Sequence, residues 1–224
     1  MIRTISAAVP RFALFLLASL PVLTGGVILA SMSFDLSNDF NEPSDILRRS
    51  SYPFAVIGHI IGGSLMLLLG FTQFSATLRR RWPALHRWAG RLLVAAGAYF
   101  ALSGLVMNAS PGAQADSALY DTTQNVMAVG FLTTLFLGLR AIRQRRLADH
   151  RAWMMRSYAI TLGVATQTLL LLPVFLITGT PPQGLVTDLV VIAAWGLNLA
   201  VAEWLLRRPS FSNMPKSGPK LTRT

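Results

Sequence analysis

The chain has 224 residues, of which 53% are hydrophobic and only 13% are charged, about half the charged fraction of an ordinary soluble domain. It contains no cysteine, which excludes disulfides, cysteine-ligated zinc, iron–sulfur clusters and covalently attached c-type haem. The net charge of +11 does not indicate nucleic-acid binding, because the basic residues fall between apolar runs, where they act as topology signals and contact anionic lipid headgroups. The composition therefore predicts an all-α integral membrane protein in a lipid bilayer.

Six apolar runs follow one another along the chain, each long enough to cross the roughly 30 Å hydrocarbon core of a bilayer as a helix of about 20 residues. The predicted spans are residues 12–31, 53–78, 88–107, 122–142, 157–178 and 188–206. They predict a single six-helix transmembrane domain over residues 1–208, with no room for a separate soluble domain. The tail, residues 209–224, is rich in Ser, Pro and Lys, and we expect it to be disordered.

The first apolar run decides the orientation. It follows two arginines and could pass for a secretory signal peptide, but its length of about 20 residues exceeds the about 7 to 15 residues of a signal core. Interpreted as a retained helix, it places the N-terminus in the cytoplasm, and of the 20 basic residues only Arg48 and Arg49 then lie outside. Because basic clusters stay on the cytoplasmic side, we expect a bacterial plasma (inner) membrane protein with both termini in the cytoplasm.

Two cytoplasmic connections resemble each other, over residues 79–91 and 143–156. Each reads as a basic cluster, then His-Arg, then a tryptophan within three residues of the histidine, then an arginine. Each also separates a span that enters the cytoplasm from one that leaves it. The pattern predicts two similarly oriented helical hairpins, spans 2–3 and 4–5, with spans 1 and 6 flanking them.

If this repeat is real, His86 and His150 occupy equivalent positions in the first turns of two helices, at one depth near the inner interface. Two neutral imidazoles facing each other could be axial ligands of a haem iron, with Arg87, Arg91, Arg151 or Arg156 pairing with the haem propionates. The alternative is that these residues only cap helices, with Asp149 as an N-cap, and contact lipid phosphate.

His59 lies inside the second span, on a stripe that should pack inward because its glycines allow a neighbouring helix to approach closely. The functional interpretation is a ligand or a proton-handling group, with Met107 or Met127 as a second haem ligand. The alternative is a neutral histidine hydrogen-bonded to another helix. Gln73, at the end of the stripe, is a further candidate cofactor-binding residue. The stripe consists of His59, Gly62, Gly63, Met66, Gly70 and Gln73.

Charged residues are missing from the centre of every predicted span, which argues against a proton-coupled pump or ion exchanger. Near the inner end of the sixth span, Glu203 can pair with Arg207 at i+4. The chain has no Walker loop, no dinucleotide fingerprint and no zinc-protease motif. The motifs therefore name no enzyme class.

Three segments together resemble a family of bacterial predicted membrane proteins catalogued as domain of unknown function 2306: His59-Ile-Ile-Gly-Gly through Gln73-Phe, Leu78-Arg-Arg-Arg-Trp-Pro-Ala-Leu-His86 through Arg91, and Asp149-His150-Arg-Ala-Trp-Met-Met-Arg156. The resemblance covers roughly the second to fifth helices and implies a multi-pass membrane protein without an established activity. The histidine placement also loosely resembles b-type haem membrane cytochromes. Cytochromes of this kind that bind two haems use four histidines within spans. This chain has three histidines, so it can hold at most one bis-histidine haem.

Three functions stay open at this point. The first is a membrane redox protein that binds one haem b and passes electrons between a quinone and a partner. The second is a non-catalytic accessory or assembly protein, whose polar stripe and basic hairpins organise other membrane protein subunits and anionic lipid. The third is a small-molecule or lipid transporter that uses the paired hairpins as repeats.

Overall fold

The structure, a computed structural model, describes residues 2–34, 51–109, 117–180 and 182–208, and for residues 2–14 the backbone alone. These segments contain helices and no strand, in agreement with the predicted all-α class. The long loop that carries Arg48 and Arg49 and the tail 209–224 lie outside the described residues, so the predictions made for them stay predictions.

The described helices follow the predicted order. A short 3-10 helix, Phe71–Phe74, separates the second helix from the third. The α-helices are α1 Ile2–Phe34, α2 Pro53–Gly70, α3 Ala76–Arg81, α4 Pro83–Asn108, α5 Ala118–Arg143, α6 Leu147–Thr178 and α7 Leu185–Leu206.

Five of these segments are long and apolar enough to cross a membrane: Pro53–Phe74, α4, α5, α6 and α7. They correspond to the second to sixth predicted spans. The first predicted span lies within α1, whose described apolar part is Phe15–Ala30. The described residues thus hold five candidate spans together with α1.

At the basic connections the helices have different bounds from the predicted spans. The second span was expected to continue to residue 78, but α2 ends at Gly70, and Ser75 is extended, with φ −71° and ψ 114°. The Ser75 side chain caps α3 by accepting a hydrogen bond from the Leu78 amide at 3.2 Å. Conversely, α4 and α6 begin 5 and 10 residues earlier than expected, at Pro83 and Leu147. The apolar run marks only the part of a helix that lies in lipid, so a polar first turn escapes it.

The helix starts use different local chemistry. Proline occupies the first turn of α2 and of α4, as predicted for Pro83, since its missing N–H has no helical partner there. Ser117 caps α5 by accepting a hydrogen bond from the Tyr120 amide at 3.0 Å. The prediction that Asp149 caps α6 was wrong. Arg146 occupies the N-cap position, and Asp149 lies in the first turn, 3.3 Å from the Arg146 guanidinium.

Helix α6 lies at the centre of the packing, between α1, α2, α5 and α7. Its middle, from Ser157 to Gly163, is continuously buried. Ile160 belongs to one apolar cluster with Met66, Phe131 and Trp195, and Tyr158 belongs to a second cluster that includes Ala18 of α1. Both clusters therefore depend on α6.

Small residues allow the helices to approach closely, and the predicted inward stripe on α2 is confirmed. A Cβ at Gly62 would lie 2.7 Å from the Ala96 carbonyl oxygen of α4, and one at Gly63 would lie 2.9 Å from the Phe100 ring. Gly70 packs in the same way against the ring of Tyr158. The stripe buries its small residues against α4 and α6.

Hydrogen bonds between helices show which helix ends lie together. At one end, the Asn108 side chain of α4 donates to Asn125 of α5 at 3.1 Å, and Ser117 donates to the buried carboxylate of Asp188 on α7 at 2.6 Å. At the other end, Arg156 of α6 pairs with Glu203 near the end of α7. We call this second end the basic end; it comprises residues 73–91, 138–156 and 203–208.

Candidate functional site

The basic end holds all the basic side chains of the chain between residues 51 and 208, and every one of them is an arginine. The sequence places two acids at this end, and both are engaged: Asp149 with Arg146, and Glu203 with Arg156. The described acids of the opposite end are Asp121 and Asp188. The molecule is therefore strongly polarised along the helix axes.

Tryptophans ring the same end and contact its arginines. The guanidinium of Arg91 lies 4.9 Å from the centre of the Trp88 ring, and that of Arg208 lies 3.5 Å from the Trp204 ring. The Trp88 and Trp204 side chains are 67% and 55% exposed. Indoles favour the level of lipid headgroups, where the ring is buried and the N–H stays polar. The ring of tryptophans marks the basic end as an interface between lipid and water.

His86 and His150 both lie at the basic end. Each is the fourth residue of its helix, and the two imidazoles are close enough to interact electrostatically. His150 Nδ1 donates to the Gly138 carbonyl of α5 at 2.9 Å, which leaves its Nε2 with a free lone pair. His86 Nδ1 is buried and has no hydrogen-bond partner.

Three more polar side chains belong to this neighbourhood. Arg79 lies within electrostatic range of both His86 and Arg151. Gln73 packs beside Gly90, one helical turn along α4 from His86, and its Nε2 is buried without a hydrogen-bond partner. We call this group the basic-end cluster; it consists of Gln73, Arg79, His86, His150 and Arg151.

The sequence identified four members of the cluster and missed Arg79. Nothing in the sequence distinguishes Arg79 from Arg80 and Arg81. Which of the three is half-buried depends on where α3 begins, and the extended Ser75 sets that start. Arg87, which was expected at the site, lies within electrostatic range of His86 but is exposed, as are Arg80 and Arg81. Arg79 is half-buried.

Arg156 does not join the cluster. Its guanidinium makes two hydrogen bonds to the carboxylate of Glu203, at 2.5 and 3.0 Å, and stacks 4.6 Å from the centre of the Trp153 ring. Glu203 takes its bidentate partner from α6, and Arg207, which was expected to pair with it, interacts with the same carboxylate electrostatically. This ion pair holds α6 and α7 together.

His59 is a separate feature, as expected. Its Nδ1 donates to the Phe100 carbonyl of α4 at 2.9 Å, and the Ser103 hydroxyl lies 3.3 Å away. The imidazole also stacks on the Phe100 ring at 4.3 Å and lies against Gly104. Fourteen residues separate it from Gln73, about 20 Å along the helix. These contacts are those of a histidine that joins α2 to α4.

The packing on the Nδ1 side of His150 is tight. Gly138, whose carbonyl holds His150, packs closely against Met154 and Trp153. Met154 in turn packs on the larger apolar cluster. Within the described residues, no group of three or more His, Cys, Asp or Glu side chains stands ready for a metal ion. The structure therefore does not support the haem hypothesis, although the pair of histidines itself is present.

Comparisons with known proteins agree with the architecture. Residues 56–206, from α2 to the end of α7, match the model of a family described as predicted membrane protein (DUF2306). This range contains the whole basic-end cluster and His59. No curated protein and no solved structure matches the chain. The matched segment is well over half of the sequence, and the chain belongs to the DUF2306 family of predicted membrane proteins.

Proposed function

We propose that this chain is a six-span accessory protein of the bacterial inner membrane, whose basic end faces the cytoplasm and binds anionic lipid headgroups. The observation that carries this proposal is the collection of all arginines between residues 51 and 208 at one end, at the level of the exposed tryptophans. Cytoplasmic leaflets are negatively charged, and each arginine near such a surface contributes about 1 kcal/mol of attraction.

Helix α1 supplies the sixth span in this proposal. It has 33 residues, about 50 Å of helix, which is more than a bilayer core requires. Ala18 is fully buried and packs in the same cluster as Leu67 and Tyr158. Since α1 lies alongside α2 and α6 within the bundle, a position outside the membrane would leave its apolar residues in water.

The two hairpins, α2 to α4 and α5 to α6, support the proposed parallel repeat. His86 and His150 are each the fourth residue of a helix, and their amides bond the equivalent carbonyls of Trp82 and Arg146, at 3.1 and 3.0 Å. Two such hairpins with their turns on one face double the density of positive charge there. This suits a surface that organises lipid around neighbouring subunits.

Lipid selection tests the proposal. In nanodiscs the melting temperature should rise with the fraction of phosphatidylglycerol, because a ligand that binds only the folded state stabilises it. Salt should weaken this effect. A variant with four exposed arginines replaced by glutamine, Arg80, Arg81, Arg87 and Arg143, should lose most of it. Equal stability in purely zwitterionic lipid would overturn the proposal.

A redox protein with one haem b is the second candidate, favoured by the proximity of His86 and His150. The hydrogen bond from His150 Nδ1 to a backbone carbonyl is the orientation that metal-bound histidines commonly show. An absorption spectrum of protein purified with haem available separates the candidates. A Soret band that disappears in His150→Ala would favour the redox protein, and a colourless, stable protein supports the accessory role.

A further inference from the structure

We propose that the basic-end cluster is a built site for one phosphate group, carried by a lipid headgroup or by a free phosphate compound. The inference deepens the proposed function and rests on it, since it places this end of the bundle at the inner lipid surface. A phosphate site differs from a general attraction to lipid because it depends on a few particular side chains and not on the total number of arginines.

Burial separates the cluster from the rest of the basic end. Arg79, His86, His150 and Arg151 are half-buried, whereas the neighbouring Arg80 and most other arginines of this end are exposed. An exposed arginine stays hydrated, so placing it near other arginines costs little free energy. Arg79, which is half-buried, has lost part of its water and needs an anion or acceptor in return.

The cluster gathers positive charge instead of separating it. Arg79 interacts electrostatically with both His86 and Arg151, and His86 interacts with His150. The two acids that the sequence offers at this end pair with Arg146 and Arg156. The proximity of the Arg79 and Arg151 guanidinium groups at partly dehydrated positions is unfavourable by itself, and a bound anion would offset their repulsion.

Hydrogen-bond donors point to the same ligand. Gln73 Nε2 and His86 Nδ1 are buried without a partner, and both lie beside one face of α4, His86 on it and Gln73 against Gly90 one turn further. The amide nitrogen can only donate, so it requires an acceptor. Phosphate oxygens accept hydrogen bonds in several directions and match the fork of an arginine guanidinium. A phosphate would therefore satisfy both the donors and the charges.

The position of the cluster makes a lipid headgroup a natural source of the phosphate. Trp88, one turn of the same helix from Arg91 and two residues after His86, is exposed at the headgroup level. An open, mostly apolar groove lined by Leu78, Trp82 and Leu85 runs beside α3. A lipid whose phosphate bound the cluster would have an apolar surface nearby for its chain.

A pair of neighbouring arginines provides the test. In zwitterionic nanodiscs, binding of phosphatidylglycerol would be measured by native mass spectrometry for the wild type, Arg79→Gln and Arg80→Gln. Both variants remove one charge from α3. Both variants should lose the surface attraction of one charge, and Arg79→Gln should also lose a charge-assisted hydrogen bond, so we expect it to weaken binding about tenfold more than Arg80→Gln does. Equal effects in the two variants would overturn the site and leave the lipid-binding function standing, whereas a wild type that selects no anionic lipid would overturn both.

A second variant keeps the test decisive if Arg79→Gln folds poorly. Gln73→Glu is nearly isosteric and places a carboxylate among the unmatched donors. It should raise the melting temperature in zwitterionic lipid and remove the stabilisation by phosphatidylglycerol. A lower melting temperature with the lipid effect retained would contradict the proposal. Inorganic phosphate as competitor identifies the source: displacement of the lipid indicates a site for free phosphate compounds, and no displacement indicates one for headgroups.

Discussion

Single side chains at helix contacts show how this bundle satisfies its polar atoms where water is absent. The indole of Trp195 donates from Nε1 to the Ile160 carbonyl of α6 at 2.8 Å, and Tyr158 donates to the Leu67 carbonyl of α2 at 3.1 Å. Each of these groups is apolar over most of its surface and uses one polar atom to reach a neighbouring backbone. The sequence predicts that such residues face inward, but not which carbonyl receives each bond.

The Trp195 bond is the basis of the first prediction. Trp195→Phe keeps a ring in the core and removes the donor, so the free energy of unfolding should fall by about 1 kcal/mol, within the range of hydrogen bonds between membrane helices. Thermal unfolding in detergent measures the change. Trp204→Phe is the control, since Trp204 is exposed and should show almost none. Equal changes in both variants would contradict the structural account of Trp195.

Between elements, the tightest of the described glycine contacts joins α6 to α7. A Cβ at Gly163 would overlap the Trp195 ring, so only glycine lets these helices pack as they do. We expect Gly163→Ala to cost about 3 kcal/mol or more by overpacking. Gly196→Ala, beside the same tryptophan but with nothing within 4 Å, should be neutral or slightly stabilising. Thermal unfolding of the two variants compares them, and a stable Gly163→Ala protein would show that the contact is looser than described.

The ion pair between Arg156 and Glu203 is the other link between α6 and α7. Its side chains are 26% and 37% exposed, so the pair is partly shielded from water. Arg156→Gln should reduce the free energy of unfolding by about 1 to 3 kcal/mol. In a double-mutant cycle, adding Glu203→Gln should cost little more, because its partner has already gone. Additive losses would show that the two side chains act independently.

Helix bounds in this chain follow hydrophobicity most closely away from the basic end. The starts of α2, α5 and α7 fall within four residues of the predicted spans. Helices α4 and α6 begin 5 and 10 residues before the predicted spans, because the first turns that hold His86 and His150 are helical but too polar to belong to an apolar run. Only part of the candidate site could be predicted from the sequence. The repeated His-Arg motif indicated both histidines. The partial burial of Arg79 depends on the Ser75 cap, which the motif does not indicate.

At the scale of the whole molecule, polarity and topology are linked. Between residues 51 and 208 the arginines and four of the five tryptophans lie at one end, the buried Asp188 lies at the other, and both basic connections belong to the first of these ends. The proposed lipid surface and the phosphate site both require this end to meet the inner leaflet. An outward-facing basic end would place the same charges opposite to the usual rule for membrane proteins.

Single cysteines can report this orientation directly, since the chain has no cysteine of its own. Arg143→Cys places one at the basic end, and Gln183→Cys places one at the opposite end. In intact cells, a membrane-impermeant maleimide should label Gln183→Cys and leave Arg143→Cys unlabelled until the membrane is permeabilised. Labelling of Arg143→Cys alone in intact cells would contradict the account, because the basic end would then face outward.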